Sequence, residues 1–290
     1  MPTRRFSLAL TVALAALAIA AFAGNSLLTR AALSGDLISP GGFATIRLFS
    51  GAIVLAALCV ATRRDWRPTA RDLPGGLALA AYTAAFSLAY VWLEAGSGAL
   101  ILFAAVGGTV ALASLRTGFT AREMGGLVLA FAGLVWLLLP GADAAPLWPA
   151  ALMALAGIAW GAYTLLGRSG GEPVGRTGRN FILAAPMMLP LLAIPASGFV
   201  SVEGVVLAVL CGAITSAAGY AVWYACLPRL PVIASGSVQL ATPAAAALGG
   251  LILLGEAASW RLAGASTLIL AGIALTLIRA RQTGSTTPKA

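Results

Sequence analysis

The chain has 290 residues, 60% of them hydrophobic and only 9% charged, with a net charge of +9 and a mean hydropathy of +0.96. An ordinary soluble domain is about 25% charged, so a water-soluble fold is excluded: a globule of this size cannot hide that much apolar surface. The three cysteines, Cys59, Cys211 and Cys226, stand apart in apolar runs and histidine is absent, which excludes a disulfide framework and a Cys/His metal site.

Apolar runs of about 20 residues, enough to cross a hydrocarbon core ~30 Å thick as helices, fall near 6–30, 40–61, 73–93, 97–115, 122–140, 147–168, 177–195, 203–226, 232–254 and 260–279. These ten predicted spans, numbered 1 to 10, make the chain an all-α, multi-pass membrane protein. Span 1 follows Arg4 and Arg5 and contains Ala21-Phe22-Ala23, a pattern that also fits a cleaved secretory signal. Asn25, Ser26 and Thr29 instead suit the interior of a retained helix. With the N-terminus in the cytoplasm, fifteen of the eighteen cations fall on cytoplasmic segments and only Arg30 and Arg261 fall outside, leaving Arg47 within span 2. Because basic residues resist translocation, both termini are expected in the cytoplasm, and the positive charge is accounted for without nucleic acid. The loops are short. The segment "GRSGGEPVGRTG" (167–178) lacks the GK[ST] ending of a phosphate cradle and reads as a linker between two halves, and 281–290 reads as a disordered cytoplasmic tail.

Sliding the chain over itself by 138 or 139 positions brings the halves into register. "AFAGNSLLTR" (Ala21–Arg30) lies over "AWGAYTLLGR" (Ala159–Arg168), "AYTAAF" (Ala81–Phe86) over "GYAVWY" (Gly219–Tyr224), and "REMGGLVLAFAGL" (Arg122–Leu134) over "RLAGASTLILAGI" (Arg261–Ile273). Phe22 is thereby paired with Trp160, Tyr82 with Tyr220, and Gly133 with Gly272. Each apolar match is weak alone, and their common offset carries the weight. Five spans per half is an odd number, so residues 141–280 are expected to enter the membrane opposite to residues 1–140, forming an inverted 5+5 repeat of the kind that builds two gates around one central site. Since span 1 has a counterpart in span 6, it is expected to be retained.

Trp160-Gly161, Arg47 in "TIRLFSG", Pro243, "LLGE" at Leu253–Glu256, Gly264 and Gly272 together resemble the drug/metabolite transporter superfamily, EamA type, over nearly the whole chain. The first half departs from that pattern: Thr117 stands opposite Glu256 and Ala104 opposite Pro243. Ten helices and the aromatic residues below are most similar to the aromatic amino acid exporters of the YddG type. The resemblance implies a bacterial inner-membrane protein that works by alternating access, with no cofactor, with small molecules and the lipid bilayer as its partners. The oligomeric state is left open, a monomer included.

Polar and aromatic side chains away from helix ends mark an interior face in a bilayer. Span 3 supplies Tyr82, Phe86 and Tyr90 at i, i+4 and i+8, span 8 supplies Tyr220, Trp223 and Tyr224, span 6 supplies Trp160, Tyr163 and Thr164, and span 1 supplies Asn25, Ser26 and Thr29. Span 9 adds Ser235, Ser237, Gln239 and Thr242, followed by Pro243. Of these, Asn25, Ser26, Tyr82, Phe86, Trp160, Tyr163, Tyr220, Trp223, Tyr224, Gln239 and Thr242 form the expected substrate-binding set, with hinges at Gly107-Gly108 and Pro243 and with Arg47 and Glu256 in gating or structural roles. Tyr90, Trp92, Trp136 and Trp148, near helix ends, read as interfacial-belt aromatics. Asn25 and Gln239 read equally as interhelical glue, worth ~0.6 kcal/mol each, or as substrate contacts. Arg47 reads first as snorkelling outward or tying helix ends, with carboxylate binding as the alternative.

An aromatic-walled, amide-bearing cavity without a midplane charge suits an amphiphilic zwitterion or a neutral molecule, whereas a cationic drug would need a buried carboxylate. The expected activity is export of amino acids, aromatic and other neutral ones, with drugs, sugars or nucleobases as alternative cargo. Without histidine or a midplane acid the usual proton relay is missing, which points to facilitated export. No catalytic constellation is present, so an enzyme is not expected.

Overall fold

The computed structural model describes residues 8–113, 121–139, 145–167, 172–194, 200–229, 239 and 241–277. They are helical, with no strand among them. The helices are α1 (Leu8–Ser34), α2 (Pro40–Ala61), α3 (Leu73–Ala89), α4 (Ala95–Ala113), α5 (Ala121–Leu138), α6 (Leu147–Gly167), α7 (Pro173–Ala184), α8 (Val202–Cys226), α9 (Ala241–Leu253) and α10 (Trp260–Leu277). By length and composition Ala9–Ser34, Pro40–Ala61, Leu147–Gly167 and Val202–Cys226 are long and apolar enough to cross a membrane, while Ala95–Val110, Met124–Leu138 and Ala241–Leu253 are shorter apolar helices.

The distribution of polarity is that of a membrane protein. Ile53, Phe131, Trp148 and Ile252 are exposed on the outside of the bundle, while Asn25, Thr29, Arg47, Thr83 and Ser87 are buried inside it. A lipid-facing exterior needs aliphatic side chains, and helix association within lipid relies on close packing and interior polar contacts.

Two segments depart from the sequence-based reading. The linker expected at 167–178 is helical from Pro173 onward, because the Glu172 carboxylate accepts hydrogen bonds from the Val174 and Gly175 N–H groups and Pro173 occupies the first turn, where a missing N–H costs nothing. The same helix stops early: Pro186 and Pro190 cannot donate to an α-helical ladder, and Pro186–Ala193 tightens into a 3₁₀ stretch. Ser235 and Ser237, the partner position Thr117, and the tail at 281–290 lie outside the described residues.

Helices of the two halves interleave. α5 packs on α10, α2 on α7, α4 on α9, α3 and α4 on α6, and α1 on α8 and α9. Exchanging the halves turns each of these pairings into itself or into another of the set. The α5–α10 contact is built from small residues on both sides. A Cβ at Gly133 would meet Leu268 and Ile269, and one at Gly272 would meet the Ala130 and Gly126 backbone, so a 139-residue shift carries one close approach onto its reciprocal.

Candidate functional site

Where α1, α2, α3, α6 and α8 converge, aromatic rings form one continuous cluster. The Trp160 ring centroid lies 4.7 Å from Tyr220, 5.1 Å from Tyr82, 5.5 Å from Tyr163 and 5.6 Å from Phe22. Phe22 also stands edge-on to Trp223 at 5.6 Å, Tyr82 adjoins Phe86 at 5.1 Å, and Tyr163 meets Tyr224 at 5.8 Å. Tilted and edge-on pairs such as these are the preferred arrangements of rings with a quadrupole. The residues that the repeat superposes meet each other here: the Tyr82 and Tyr220 hydroxyls are 3.3 Å apart, and Phe22 packs on Trp160.

Arg47 lies against one side of this cluster, beside Tyr82, Phe86 and Tyr220, and is completely buried. Its Nε donates to Ser216 Oγ at 2.9 Å, and its Nη2 donates to Tyr220 Oη at 3.0 Å and Tyr82 Oη at 3.3 Å. The guanidinium carbon sits 5.1 Å from the Phe86 ring centroid and 5.4 Å from that of Tyr82, within cation–π range. The expectation that Arg47 snorkels outward is therefore corrected. It lies too far from the start of α2 to reach an interface, and α3 and α8 supply phenols and faces that solvate it in place. Nη1 is buried without a hydrogen-bond partner. The half-exchange that relates Tyr82 to Tyr220 places Ala185 opposite Arg47, so the cation has no twin. Sequence reasoning also placed no charge within the site, and Arg47 overturns that.

A polar seam runs from Arg47 to α1. Asn25 Oδ1 accepts from Thr215 Oγ1 at 2.7 Å, Ser216 Oγ at 2.9 Å and Cys211 Sγ at 3.3 Å, while Asn25 Nδ2 donates to the Thr215 carbonyl at 3.3 Å. Thr29 Oγ1 lies 3.8 Å from Cys211 Sγ, and Ser26 is buried on the same helix. Of the two readings of Asn25, the geometry here is that of a tie between α1 and α8. Cys211, Thr215 and Ser216 can all face Asn25 because α8 is wound as a π-helix over Cys211–Ala218, a wider turn that often occurs at functional sites. Gly212 lets this turn lie directly against the Arg47 carbonyl and Ser50. None of these α8 polar residues was singled out from the sequence. The run "CGAITSAAG", small and polar at the middle of an apolar span, was the available signal.

Gln239 is buried and accepts from Trp160 Nε1 at 3.3 Å. Tyr163 Oη receives a 3.3 Å hydrogen bond from Asn180 Nδ2 on α7, another residue that sequence reasoning passed over. Thr242 is buried in the first turn of α9 and its hydroxyl, like those of Thr83 and Thr164 and the Trp223 indole N–H, has no hydrogen-bond partner. Pro243 lies in that same first turn, so within the described part of α9 it interrupts no helix interior. Gly107 and Gly108 lie in α4, and open space faces Gly108. Among the residues read as belt aromatics, Trp92 and Trp148 are exposed and Trp136 packs on Trp260 at 5.6 Å. Tyr90 is the exception: it is fully buried, its ring lies over Gly98 and against Phe86, and its hydroxyl donates to the Ala95 carbonyl. A glycine at 98 makes the room that the belt reading did not foresee.

Both ends of the cluster are closed by links between the halves. At one end Glu256 accepts from the Ala95 N–H at 2.9 and 3.1 Å and pairs with Arg30 at 3.4 Å, and Arg30 donates to the Tyr90 and Val91 carbonyls. The anion thus caps the start of α4 and the cation caps the end of α3, each matching the local helix dipole. Gly255, at φ +65°, makes the left-handed turn that delivers Glu256, which is the physical content of the "LGE" sequence. At the other end Arg179 Nε pairs with Asp72 Oδ2 at 3.0 Å and Nη1 donates to the Asp65 carbonyl, while Arg64 pairs with Glu172.

Residues 147–278, from α6 to the end of α10, match the model of the EamA-like transporter family. A curated relative, an uncharacterised protein of Pseudomonas aeruginosa, is 49% identical over 280 residues, covering 96% of each chain. A protein of known crystal structure superposes with a TM-score of 0.67 at 20% identity, over 95% of this chain and 100% of its own; at that identity the likeness speaks to the fold alone.

Proposed function

Because residues 147–278 match the EamA-like transporter family, whose members move small molecules across membranes, we propose that this chain is such a transporter and exports small amphiphilic metabolites, amino acids foremost, through the aromatic cluster. The observation that carries this reading is the meeting of repeat-related residues, Tyr82 on Tyr220 and Phe22 on Trp160, beside one buried cation. A central site on the pseudo-two-fold axis of an inverted 5+5 repeat can be opened from either face by rocking one half against the other. Ten membrane spans, with both termini in the cytoplasm of a bacterial inner-membrane protein, place the Glu256–Arg30 link at the outer face and the Asp72–Arg179 and Arg64–Glu172 links at the inner face. All three links join the halves, so each end is a gate. Rings enclose the cargo's apolar body, while hydroxyls, Gln239 and Arg47 hold its polar head. No buried acid–histidine relay serves the path, which supports facilitated export.

The test is uptake of labelled phenylalanine, threonine and a nucleoside into liposomes containing the purified protein, with Tyr82→Ala and Trp160→Ala beside it. Amino acid uptake is expected, and both variants are expected to lose at least about tenfold, since each lost ring stack forfeits ~0.5–1.5 kcal/mol besides its buried area. Nucleoside uptake without amino acid uptake would overturn the cargo assignment.

A further inference from the structure

Arg47 poses a charge-balance problem. A guanidinium stays ionised in a protein, and burying it without a counter-ion costs several kcal/mol even after relaxation. The described ion pairs are Arg30–Glu256, Arg64–Glu172 and Arg179–Asp72, all at the ends of the bundle. Arg47 has instead three neutral hydroxyls, two ring faces and an Nη1 with no partner. Neutral phenols solvate a cation without neutralising it. What the site lacks is an anion, and the planar fork of an arginine matches a carboxylate in two-point geometry.

Resting on the transport reading above, we propose that Arg47 is the specificity-determining anchor for a cargo carboxylate, and that the carboxylate rather than an amino group admits a molecule to the site. Nη1 and Nη2 take the two carboxylate oxygens, the latter sharing its position with the Tyr82 and Tyr220 hydroxyls, which turn to donate to the same anion. The cargo's hydrophobic body lies among Phe22, Phe86 and Trp160. An ammonium group finds no matching acid beside the rings: among the described residues of α1, α2, α3, α6 and α8 the one acid is Glu203, in the first turn of α8 and well before the Ser216–Tyr224 stretch that meets the cluster. The cargo class is therefore broader in one direction and narrower in another than amino acids: aryl- and alkyl-substituted carboxylates with or without an amino group are accepted, while amines, amides and uncharged nucleosides are refused. Arg47 loses its uncompensated charge each time cargo binds.

The deciding experiment uses proteoliposomes of the full chain and four labelled probes of one skeleton: phenylalanine, 3-phenylpropionate, phenylalaninamide and phenethylamine, each also tested for thermal stabilisation of the detergent-solubilised protein. Wild type is expected to take up and be stabilised by the first two, with the last two at least tenfold weaker. Arg47→Gln is expected to lose that preference, and Arg47→Lys to retain part of it. Equal handling of phenylalanine and phenylalaninamide by the wild type overturns the anchor even if Arg47 variants fail to fold. Uptake of phenylalanine without 3-phenylpropionate overturns the sufficiency of the carboxylate while leaving the transport reading intact. Silence with all four probes removes the amphiphilic-metabolite reading itself, and the proposal with it.

Discussion

The two ends of the bundle are closed by the same kinds of residue used differently. At the Glu256 end the carboxylate and Arg30 are largely enclosed, with side-chain exposures of 12% and 19%, and each also satisfies backbone groups at a helix terminus. At the opposite end Asp72 is 8% exposed against Arg179 at 21%, while Arg64 and Glu172 stand open at 38% and 41%. An ion pair gains most where it replaces water around helix ends and least where water already screens it. One end is thus a tight latch and the other a graded set of ties, although both link the same two halves.

The largest expected effect is that of Glu256→Ala, which uncaps α4 and strands Arg30. A loss of about 2 kcal/mol follows from removing a charged hydrogen-bond partner, measured as a lowered Tm in detergent. The native cysteines give a second readout. Cys211 lies in the half of α8 nearer the Glu256 end, whereas Cys59 and Cys226 lie near the opposite ends of α2 and α8, and all three are buried. Glu256→Ala should speed modification of Cys211 by a membrane-impermeant maleimide with little change at the other two. Equal acceleration at all three would mean general loosening rather than a latch released.

Gly255→Ala should cost ~1 kcal/mol, since the position holds φ +65° and nothing crowds it. Its effect is a milder copy of the Glu256 loss, read by the same thiol labelling. Asp72→Asn, at the other end, is expected to cost about 1 kcal/mol. Burial alone would raise the Asp72 carboxyl, but hydrogen bonds from Thr69 and the pairing with Arg179 hold it below the usual carboxylate range. A carboxyl lowered on folding stabilises fully above its unfolded pKa of about 4 and loses that contribution as the pH falls through the folded value. Wild-type Tm should therefore fall more steeply than that of Asp72→Asn on acidification below about pH 4. Arg64→Ala should be nearly silent, within ~0.5 kcal/mol, and a large effect there would erase the contrast between the ends.

Much of the helical layout was readable in the sequence because lipid imposes a length and a polarity on each helix, and α2, α6 and α8 fall within a residue of their expected bounds. The ring cluster was readable for the same reason: Tyr82, Trp160 and Tyr220 are costly to present to lipid and so must face inward. What was not readable depends on neighbours. Whether Arg47 points to an interface or a core is decided by phenols 35 and 173 positions away, and whether Tyr90 is a belt residue is decided by the missing side chain at Gly98. The π-turn that gathers Cys211, Thr215 and Ser216 has no periodicity of its own, so only the placement of Asn25 opposite reveals their common face. The Pro173 start of α7 was legible in principle, since Glu172-Pro173 is a helix-start pair, but its glycine-rich surroundings read more strongly as a linker.

Arg47 stands opposite Ala185, so the two halves match in shape more closely than in charge. A carrier with no energy source must show the same Vmax/KM in both directions, because the unliganded and liganded states at either face belong to one closed cycle. That equality leaves KM and Vmax free to differ together. Arg47 lies seven residues from the start of α2 and fourteen from its end, so on the proposed rocking mechanism the lone cation stands unequally toward the two mouths. Right-side-out and inside-out vesicles should then show distinct half-saturating concentrations whose ratio equals that of their maximal rates. Removing the charge, as Arg47→Gln, should draw the two half-saturating concentrations and the two maximal rates together.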